Sequence, residues 1–437
     1  MNMYKEITKR FFALLAIGAI SLSFAADLSA QYADGQAFKP MKRGNIVPTF
    51  VHVETGTQQQ FHIVMEAPRL LPAYNPRTED VVWSVNGIEG GNAEVGTIDN
   101  DGLYSAPRTL PGTYQIHITG YVEMADNPHM TATVLLDGIQ PEFKTVYEFG
   151  EMKNSLQHLN GPTAISIEQD GNFLIAVGNH ILRFSDKGDF MESMGRSAFD
   201  REGHLADPRN VLADESGKFF VSDQKESVPR IMAFSNDGEY LYSFGMKGYF
   251  PGMSFTTRGL ALNSEGRVYL GDLELSRITV YDHSGDYLFH FGEEGAGIGE
   301  LNGYHDLSVD YNNDIFVANY FGPCHKFDAY GRYLFSFAYP DPPAGVIHIT
   351  DVATDSRGNV YAAVRGQRNH DDTYNVVIDD EGKRVDIIKY NNHGDFIANI
   401  QLSREGRYPI RMTVDHDDRL VVLFESDDMT GVEIIAH

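Results

Sequence analysis

Cysteine is almost absent from this chain of 437 residues, in which Cys324 stands alone. A single cysteine cannot form a disulfide within the chain, so packing and ladder hydrogen bonds must stabilise the fold. No CxxCH motif is present that would attach a haem covalently. Because a lone cysteine is more often a buried filler than a nucleophile, we assign no reaction to this thiol.

Long apolar runs are equally scarce, since only FFALLAIGAISLSFA at 11–25 forms one. Lys5, Lys9 and Arg10 precede it, and small residues follow it. A short apolar core behind a basic start is typical of a cleavable signal peptide, which we place at 1–30. We therefore expect an exported protein, periplasmic or extracellular, with no transmembrane segment after cleavage.

Basic residues are few relative to acidic ones, with 35 Lys and Arg against 61 Asp and Glu and a net charge of −26. Such a surface repels phosphate backbones, so we expect no nucleic-acid partner. The sequence also contains no GxSxG, HExxH or phosphate-loop motif, and hydrolytic chemistry of those motif-defined classes is not predicted.

Residues 45–138 alternate apolar and polar positions in short runs separated by turn-forming residues, a pattern typical of an antiparallel sandwich. The stretch VVWSVNGIEGGNAEVGTIDNDGLYSAP (81–107) resembles bacterial immunoglobulin-like domains of secreted proteins. Trp83, the single tryptophan, fits the buried position around which such sandwiches pack. The resemblance implies an immunoglobulin-like β-sandwich over 45–138, preceded by a linker at 31–44.

A repeat occupies the rest of the chain. Polar turns recur with a glycine in the same place, and a second series of turns lies upstream of the first in each unit. The glycines are Gly188, Gly238, Gly285, Gly331 and Gly394. Units of four short strands, with most turn glycines 46 to 50 residues apart, predict propeller blades. The upstream turns predict six of them.

Two half-repeats stand at the ends of this region, KTVYEFG at 144–150 and GVEIIAH at 431–437. The units at 207–245 and 256–292 resemble the NHL repeat family of six-bladed β-propellers. The resemblance implies that the half-repeats complete one blade. We therefore predict an all-β fold in which 142–437 form a six-bladed NHL-type propeller, closed by strand 144–150 pairing with the C-terminal blade.

Tight turns are expected on one face of this propeller, and long connections on the other. The long connections include 246–254, 319–324 and an insertion at 364–384. Because variable loops on a rigid scaffold commonly carry function, we expect this loop face to engage a protein or peptide partner. The aromatic residues expected to contact it are Tyr249, Phe250, Tyr320, Phe321 and Tyr339.

The residues that open the innermost strands are expected to surround the channel mouth on the loop face. The candidate ligand-binding residues are Arg209, Asn210, Arg258, His305, Asp306, Asp351 and Arg411. In one interpretation, the three arginines recognise a carboxylate- or phosphate-bearing ligand. In the other, arginines and aspartates of neighbouring blades pair with one another and close the mouth. The sequence leaves both open.

We predict a non-catalytic binding or scaffold protein that requires no cofactor. The alternative is a metal-dependent propeller enzyme. His180 in VGNHILRF and His305 in GYHDLSVD resemble two histidines that hold zinc in the peptidyl-hydroxyglycine amidating lyase family. That resemblance implies a third ligand, for which His325 and His348 are candidates. A calcium site that includes Asn210 and the two aspartates of the mouth is the other metal hypothesis.

Overall fold

The computed structural model describes residues 43–65, 81–108, 115–123, 125, 128–136, 143–152, 159, 161–195, 203–225, 228–338, 348–366, 375–379 and 382–436. Within these ranges the chain forms strands and turns and no helix, so the predicted all-β class is confirmed. None of the described segments is therefore a hydrophobic helix of membrane-spanning length. The predicted signal peptide at 1–30 and Tyr339 lie outside the described residues.

The N-terminal module, residues 43–136, packs three sheets over one core. Its strands β1 to β11 are Gly44–Val47, Phe50–Val53, Gln58–Gln60, His62–Met65, Val82–Val85, Ile88–Glu89, Gly91–Asn92, Gly96–Ile98, Leu103–Ser105, Gln115–Tyr121 and His129–Leu136. One sheet has the order β2-β11-β10-β5-β6 and another the order β3-β9-β8-β7, while β1 pairs with β4. Trp83 is buried in the shared core with Phe61 and Tyr104. The first strand begins at Gly44, at the end of the predicted linker.

Strand β12, Lys144–Met152, precedes the described repeats, which form six four-stranded sheets, called here ring sheets 1 to 6. Ring sheets 1 and 2 contain β13 to β20: Pro162–Ile167, Phe173–Val177, His180–Phe184, Phe190–Met194, Pro208–Ala213, Phe219–Lys225, Val228–Phe234 and Tyr240–Phe244. A short pair, β21 and β22, follows at Met246–Lys247 and Met253–Ser254. Ring sheets 3 and 4 contain β23 to β30: Thr257–Leu262, Val268–Asp272, Arg277–Tyr281, Tyr287–Phe291, Tyr304–Val309, Ile315–Asn319, Cys324–Phe327 and Tyr333–Phe337.

Ring sheet 5 consists of β31, β32, β35 and β36, and β33 and β34 form a short hairpin within its predicted insertion. Strands β31 to β36 are His348–Thr354, Val360–Arg365, Val377–Ile378, Arg384–Val385, Ile387–Tyr390 and Phe396–Ile400. Strands β37 to β39 of ring sheet 6 are Tyr408–Val414, Leu420–Glu425 and Met429–Ala436. The innermost strand of each ring sheet contacts that of the next, and β37 contacts β13. The sheets therefore surround a central channel, which is the arrangement of a β-propeller.

Ring sheet 6 is built from two distant parts of the chain, in the order β12-β39-β38-β37. The register pairs Lys144 with Ala436, and the strand continues two residues beyond the predicted segment 144–150. A buried arginine links the two parts. Arg407 Nη1 lies 2.6 Å from Glu148 Oε2 on β12 and 2.6 Å from Glu433 Oε2 on β39.

The recurring turn glycine explains how neighbouring ring sheets pack. Gly285 has a φ of 92°, and a Cβ at this position would overlap Phe244, which ends the outer strand of the preceding sheet. Gly188 receives Phe149 of β12 in the same way. Strand β12 therefore packs against ring sheet 1 as the outer strand of any ring sheet packs against its successor.

The two faces of the ring differ in their connections. On the tight-turn face, a side chain organises each turn, as where Asp214 Oδ1 accepts hydrogen bonds from the N–H groups of Ser216 and Lys218 at 2.8 and 2.9 Å. The connections between the second and third strands of each ring sheet, and between successive sheets, lie on the opposite side. We keep the name loop face for that side.

The N-terminal module contacts the tight-turn face at ring sheets 4 and 5. Side chains of the module contact four residues of these two ring sheets. The contacts are Arg43 with Asp314, Thr49 Oγ1 with Asp395 Oδ2 at 3.0 Å, Thr131 Oγ1 with Tyr311 at 3.3 Å, and Gln115 Oε1 with Lys389 Nζ at 3.4 Å. The module therefore lies on the side opposite the channel mouth described next.

Candidate functional site at the channel mouth

A cavity of about 220 Å³ occupies the channel between the innermost strands. Asn210, Asp306 and Arg411 line it, together with small and apolar residues of the same strands. These three come from ring sheets 2, 4 and 6, because equivalent positions of a repeat converge on the axis of the ring. The structure thus brings predicted site residues from alternate sheets to one opening.

Asp306 and Asp351 form a carboxyl pair beside Arg411. Burial raises the pKa of Asp351 well above its usual value, and the neighbouring Asp306 carboxylate raises it further, while Arg411 opposes the shift. Arg411 Nη1 lies 3.7 Å from Asp351 Oδ1. Arg411 therefore faces both carboxyl groups of the pair, and their charge raises the pKa of its guanidinium.

Arg258 and His305 form the second part of the mouth. His305 Nδ1 lies 2.7 Å from the Thr350 carbonyl, which only accepts, so this nitrogen carries the proton. Nε2 then accepts from Arg258 Nη1 at 3.3 Å. The imidazole is therefore neutral, and burial together with Arg258 and Arg411 lowers the pKa of His305 to about 3.

The three arginines of the mouth are not equivalent. Arg209 forms an exposed ion pair with Asp207, and Arg411 is balanced by the carboxyl pair. Among the described residues, Arg258 has no ion-pair partner, and its guanidinium contacts neutral His305. Burial, Arg411 and Arg209 all lower the pKa of the Arg258 guanidinium. Pairing thus neutralises part of the mouth and leaves one buried cation.

The remaining predicted mouth residue, Asn210, contacts Ser222 Oγ at 2.9 Å. An aromatic stack that the sequence did not indicate closes one side of the mouth. The Tyr320 ring lies between His305 and His348, with ring centroids 5.6 and 4.0 Å apart. Tyr320 was predicted to contact a partner on the loop face, and in the structure its half-buried ring also stacks against His305. Its neighbour Phe321 is 59% exposed.

The candidate metal ligands are not brought together. Within the described ranges, no group of three His, Cys, Asp or Glu side chains is arranged to hold a metal ion. His180 begins β15 in ring sheet 1, and both ring nitrogens of His305 are engaged as described above. His348 Nδ1 donates to the Tyr320 carbonyl at 2.6 Å, and His325 bonds to Ser336 and to the Glu300 carbonyl.

The ring of sheets and its polar opening define the chain as a β-propeller. No protein-family model and no curated protein matches its sequence. Similar solved structures include a virginiamycin B lyase from Staphylococcus aureus (12% identity, TM-score 0.45, 67% of this chain and 99% of that one). A streptogramin B lyase has 11% sequence identity and a TM-score of 0.44, and the match covers 66% of this chain and 98% of that one. A gluconolactonase from Xanthomonas campestris has 10% sequence identity and a TM-score of 0.44, and the match covers 67% of this chain and 89% of that one.

Proposed function

We propose that this chain is an exported binding protein whose channel mouth, on the loop face, has a non-catalytic role and engages an acidic segment of a protein or peptide. In this proposal, the ring is a six-bladed propeller of the NHL type, and the N-terminal module is an immunoglobulin-like domain. The signal peptide at 1–30 directs the protein to the periplasm or the cell exterior.

The unbalanced cation at Arg258 carries the proposal. A guanidinium presents five donors in a planar fork, and the contact with His305 uses one of them. A carboxylate of the partner would accept from the remaining donors and would relieve the repulsion that Arg411 and Arg209 exert on Arg258. The exposed ring of Phe321, next to the Tyr320 stack, offers an apolar contact at the rim.

The proposal is tested by calorimetric titration with a synthetic peptide that contains several glutamates and one phenylalanine. We expect Arg258→Gln to weaken binding by about 10- to 100-fold, because a charge-assisted hydrogen bond contributes about 1.5–3 kcal/mol. The matched control is Arg332→Gln, which removes an exposed arginine paired with Asp328 on the tight-turn face. Absence of binding by the unmodified protein, or an equal loss in both variants, contradicts the proposal.

The metal-dependent alternative is tested by elemental analysis of the purified protein. Stoichiometric zinc that is lost in the His180→Gln, His305→Gln double variant would favour an enzyme over a binding protein. A bound zinc would require His305 to give up a contact with Arg258 or with the Thr350 carbonyl, since both ring nitrogens are engaged.

A further inference from the structure

A second cavity, of about 270 Å³, opens on the loop face of ring sheet 4. It lies between the connection at 295–302 and the link between β28 and β29. Its wall includes Ile298, Phe321, His325 and Ser336. None of the predicted channel-mouth residues lines this cavity, and it shares only Phe321 with the binding surface proposed above.

The hydrogen bonds along this wall have a fixed direction. His325 Nε2 lies 2.9 Å from the Glu300 carbonyl oxygen, which only accepts, so Nε2 carries a proton. In the neutral imidazole, Nδ1 is then an acceptor, and it lies 2.7 Å from Ser336 Oγ. Ser336 therefore donates to His325, and Tyr333 donates to Ser336 across 2.6 Å. Burial lowers the pKa of His325, which favours this neutral form.

Part of this chain of hydrogen bonds belongs to the repeat. Tyr240 OH lies 3.1 Å from Ser243 Oγ in ring sheet 2, so a tyrosine three residues before a serine recurs on outer strands. In ring sheet 2 the residue paired with that serine is Met232, whereas in ring sheet 4 it is His325. A base opposite the serine is thus a particular feature of ring sheet 4.

We propose that Ser336 and His325 form a nucleophile and general base that act on carboxylic esters in this cavity. Ser336 Oγ would bond to the ester carbonyl carbon while its proton passes to His325 Nδ1. The alcohol then leaves with that proton as the C–O ester bond breaks. Water hydrolyses the acyl-serine with the same base, and the carboxylic acid and free Ser336 are restored.

Each component of this arrangement has a chemical role. The Glu300 carbonyl holds the His325 ring in the tautomer that accepts at Nδ1, as a third group does in serine hydrolases of other folds. The wall also carries the Asn302 amide, whose Nδ2 has only a 3.5 Å contact with the Phe321 carbonyl and so can donate to a developing oxyanion. Ile298 is 84% exposed, and with Phe321 it favours an apolar acyl group.

The experiment uses the full chain with a fluorophosphonate probe and with p-nitrophenyl butyrate. We expect the probe to label Ser336, as identified by peptide mass spectrometry, and Ser336→Ala to abolish both labelling and turnover. His325→Gln should lower turnover by about 100-fold or more, since general-base catalysis contributes factors of 10²–10⁴. Ser243→Ala, which removes the serine of the equivalent Tyr–Ser pair in ring sheet 2, should change neither.

The result that overturns the proposal is an unlabelled Ser336 in protein that melts cooperatively, or turnover that survives Ser336→Ala. Thermal melting of each variant separates loss of chemistry from loss of folding. If Ser336→Ala melts as the unmodified protein does and loses labelling, the serine is the nucleophile. Because labelling of Ser336 requires no peptide, this test and the peptide titration succeed or fail separately.

Discussion

The two faces of the ring treat buried charge differently. On the tight-turn face, the Asp314 carboxylate accepts a 3.1 Å hydrogen bond from Arg43 of the N-terminal module and lies 3.2 Å from Lys326 Nζ. On the loop face, Arg258 is held by neutral His305, and no ion-pair partner for it exists among the described residues. On the tight-turn face, the N-terminal module supplies a partner for the buried charge. Among the described residues of the loop face, Arg258 remains a cation without an ion-pair partner.

The strands beneath the module show the same difference. Lys326 and Lys389 occupy equivalent positions in ring sheets 4 and 5, where ring sheets 2 and 3 have Ala233 and Val280. Both lysines lie over aromatic rings, and burial lowers the pKa of Lys389 to about 8. Because a desolvated cation needs acceptors, these sheets depend on groups such as Gln115 of the module. Buried lysines at this position thus occur in the two ring sheets that the module contacts, whereas the equivalent Arg183 of ring sheet 1 pairs with Glu168 of its own sheet.

The largest loss of stability is expected when the tight-turn face loses the Asp314 carboxylate. Asp314→Ala leaves Arg43 and Lys326 buried without their shared partner, and removal of one member of a buried pair costs about 3–5 kcal/mol. We expect the free energy of unfolding, measured by urea titration, to fall by that amount. The control is Asp237→Ala at an exposed turn of ring sheet 2, which should change it by about 0.5 kcal/mol or less. Equal effects of the two changes would show that the module does not dock as described.

Repeat-level features of the fold were accessible from the sequence. A glycine at the same place in successive units and an aromatic residue at the end of most outer strands are local signals, with Met194 and Ile400 as the exceptions in ring sheets 1 and 5. Gly285 and Phe244 show why, since the glycine leaves room for the ring of the preceding sheet. The half-repeat at 144–150 carries the same aromatic signal in Phe149, and the structure pairs this segment with β39.

Contacts that join distant elements were not accessible. Arg43 lies in a polar stretch that we took as a linker, and its partner Asp314 is 271 residues away, so no periodicity connects them. His325 and Ser336 are eleven residues apart on two strands, and only the strand register places them opposite each other. At the mouth, the sequence grouped the arginines but gave no sign of which would be balanced, because the pairing depends on side-chain direction.

The second prediction concerns how stability depends on pH through a histidine of the tight-turn face, where the module is bound. Burial and Lys326 lower the pKa of His393 to about 4, with Asp395 and Asp314 opposing, whereas an unfolded histidine titrates near 6.5. The unfolded state therefore binds more protons between pH 6.5 and 4, and stability should fall as the pH drops through this window, by at most about 1.4 kcal/mol per unit. In His393→Gln, urea titrations from pH 7 to 5 should show a shallower slope. The exposed His62→Gln should retain the original slope, and an unchanged slope in His393→Gln would refute the assignment.

The third prediction separates packing from hydrogen bonding where Tyr311 of the tight-turn face contacts the N-terminal module. Tyr311 OH lies 3.3 Å from both Thr131 Oγ1 and the His129 carbonyl of the module. Tyr311→Phe keeps the ring and removes these bonds, so the free energy of unfolding should fall by about 1 kcal/mol. Tyr408→Phe on the loop face, where the residue is 42% exposed, should have no measurable effect in the same titration. A null result for Tyr311 would mean that water replaces these contacts at no cost.

The smallest expected change in stability concerns Arg258 on the loop face. Arg258→Gln removes a cation that burial and its neighbours Arg411 and Arg209 disfavour, and it also removes the contact with His305. These effects oppose each other, so we expect the free energy of unfolding to change by about 0.5 kcal/mol or less, or to rise. Added salt should stabilise the unmodified protein more than the variant, because it screens the repulsion among the arginines. A loss of several kcal/mol would show that the fold itself satisfies Arg258, and the contrast between the two faces would then fail.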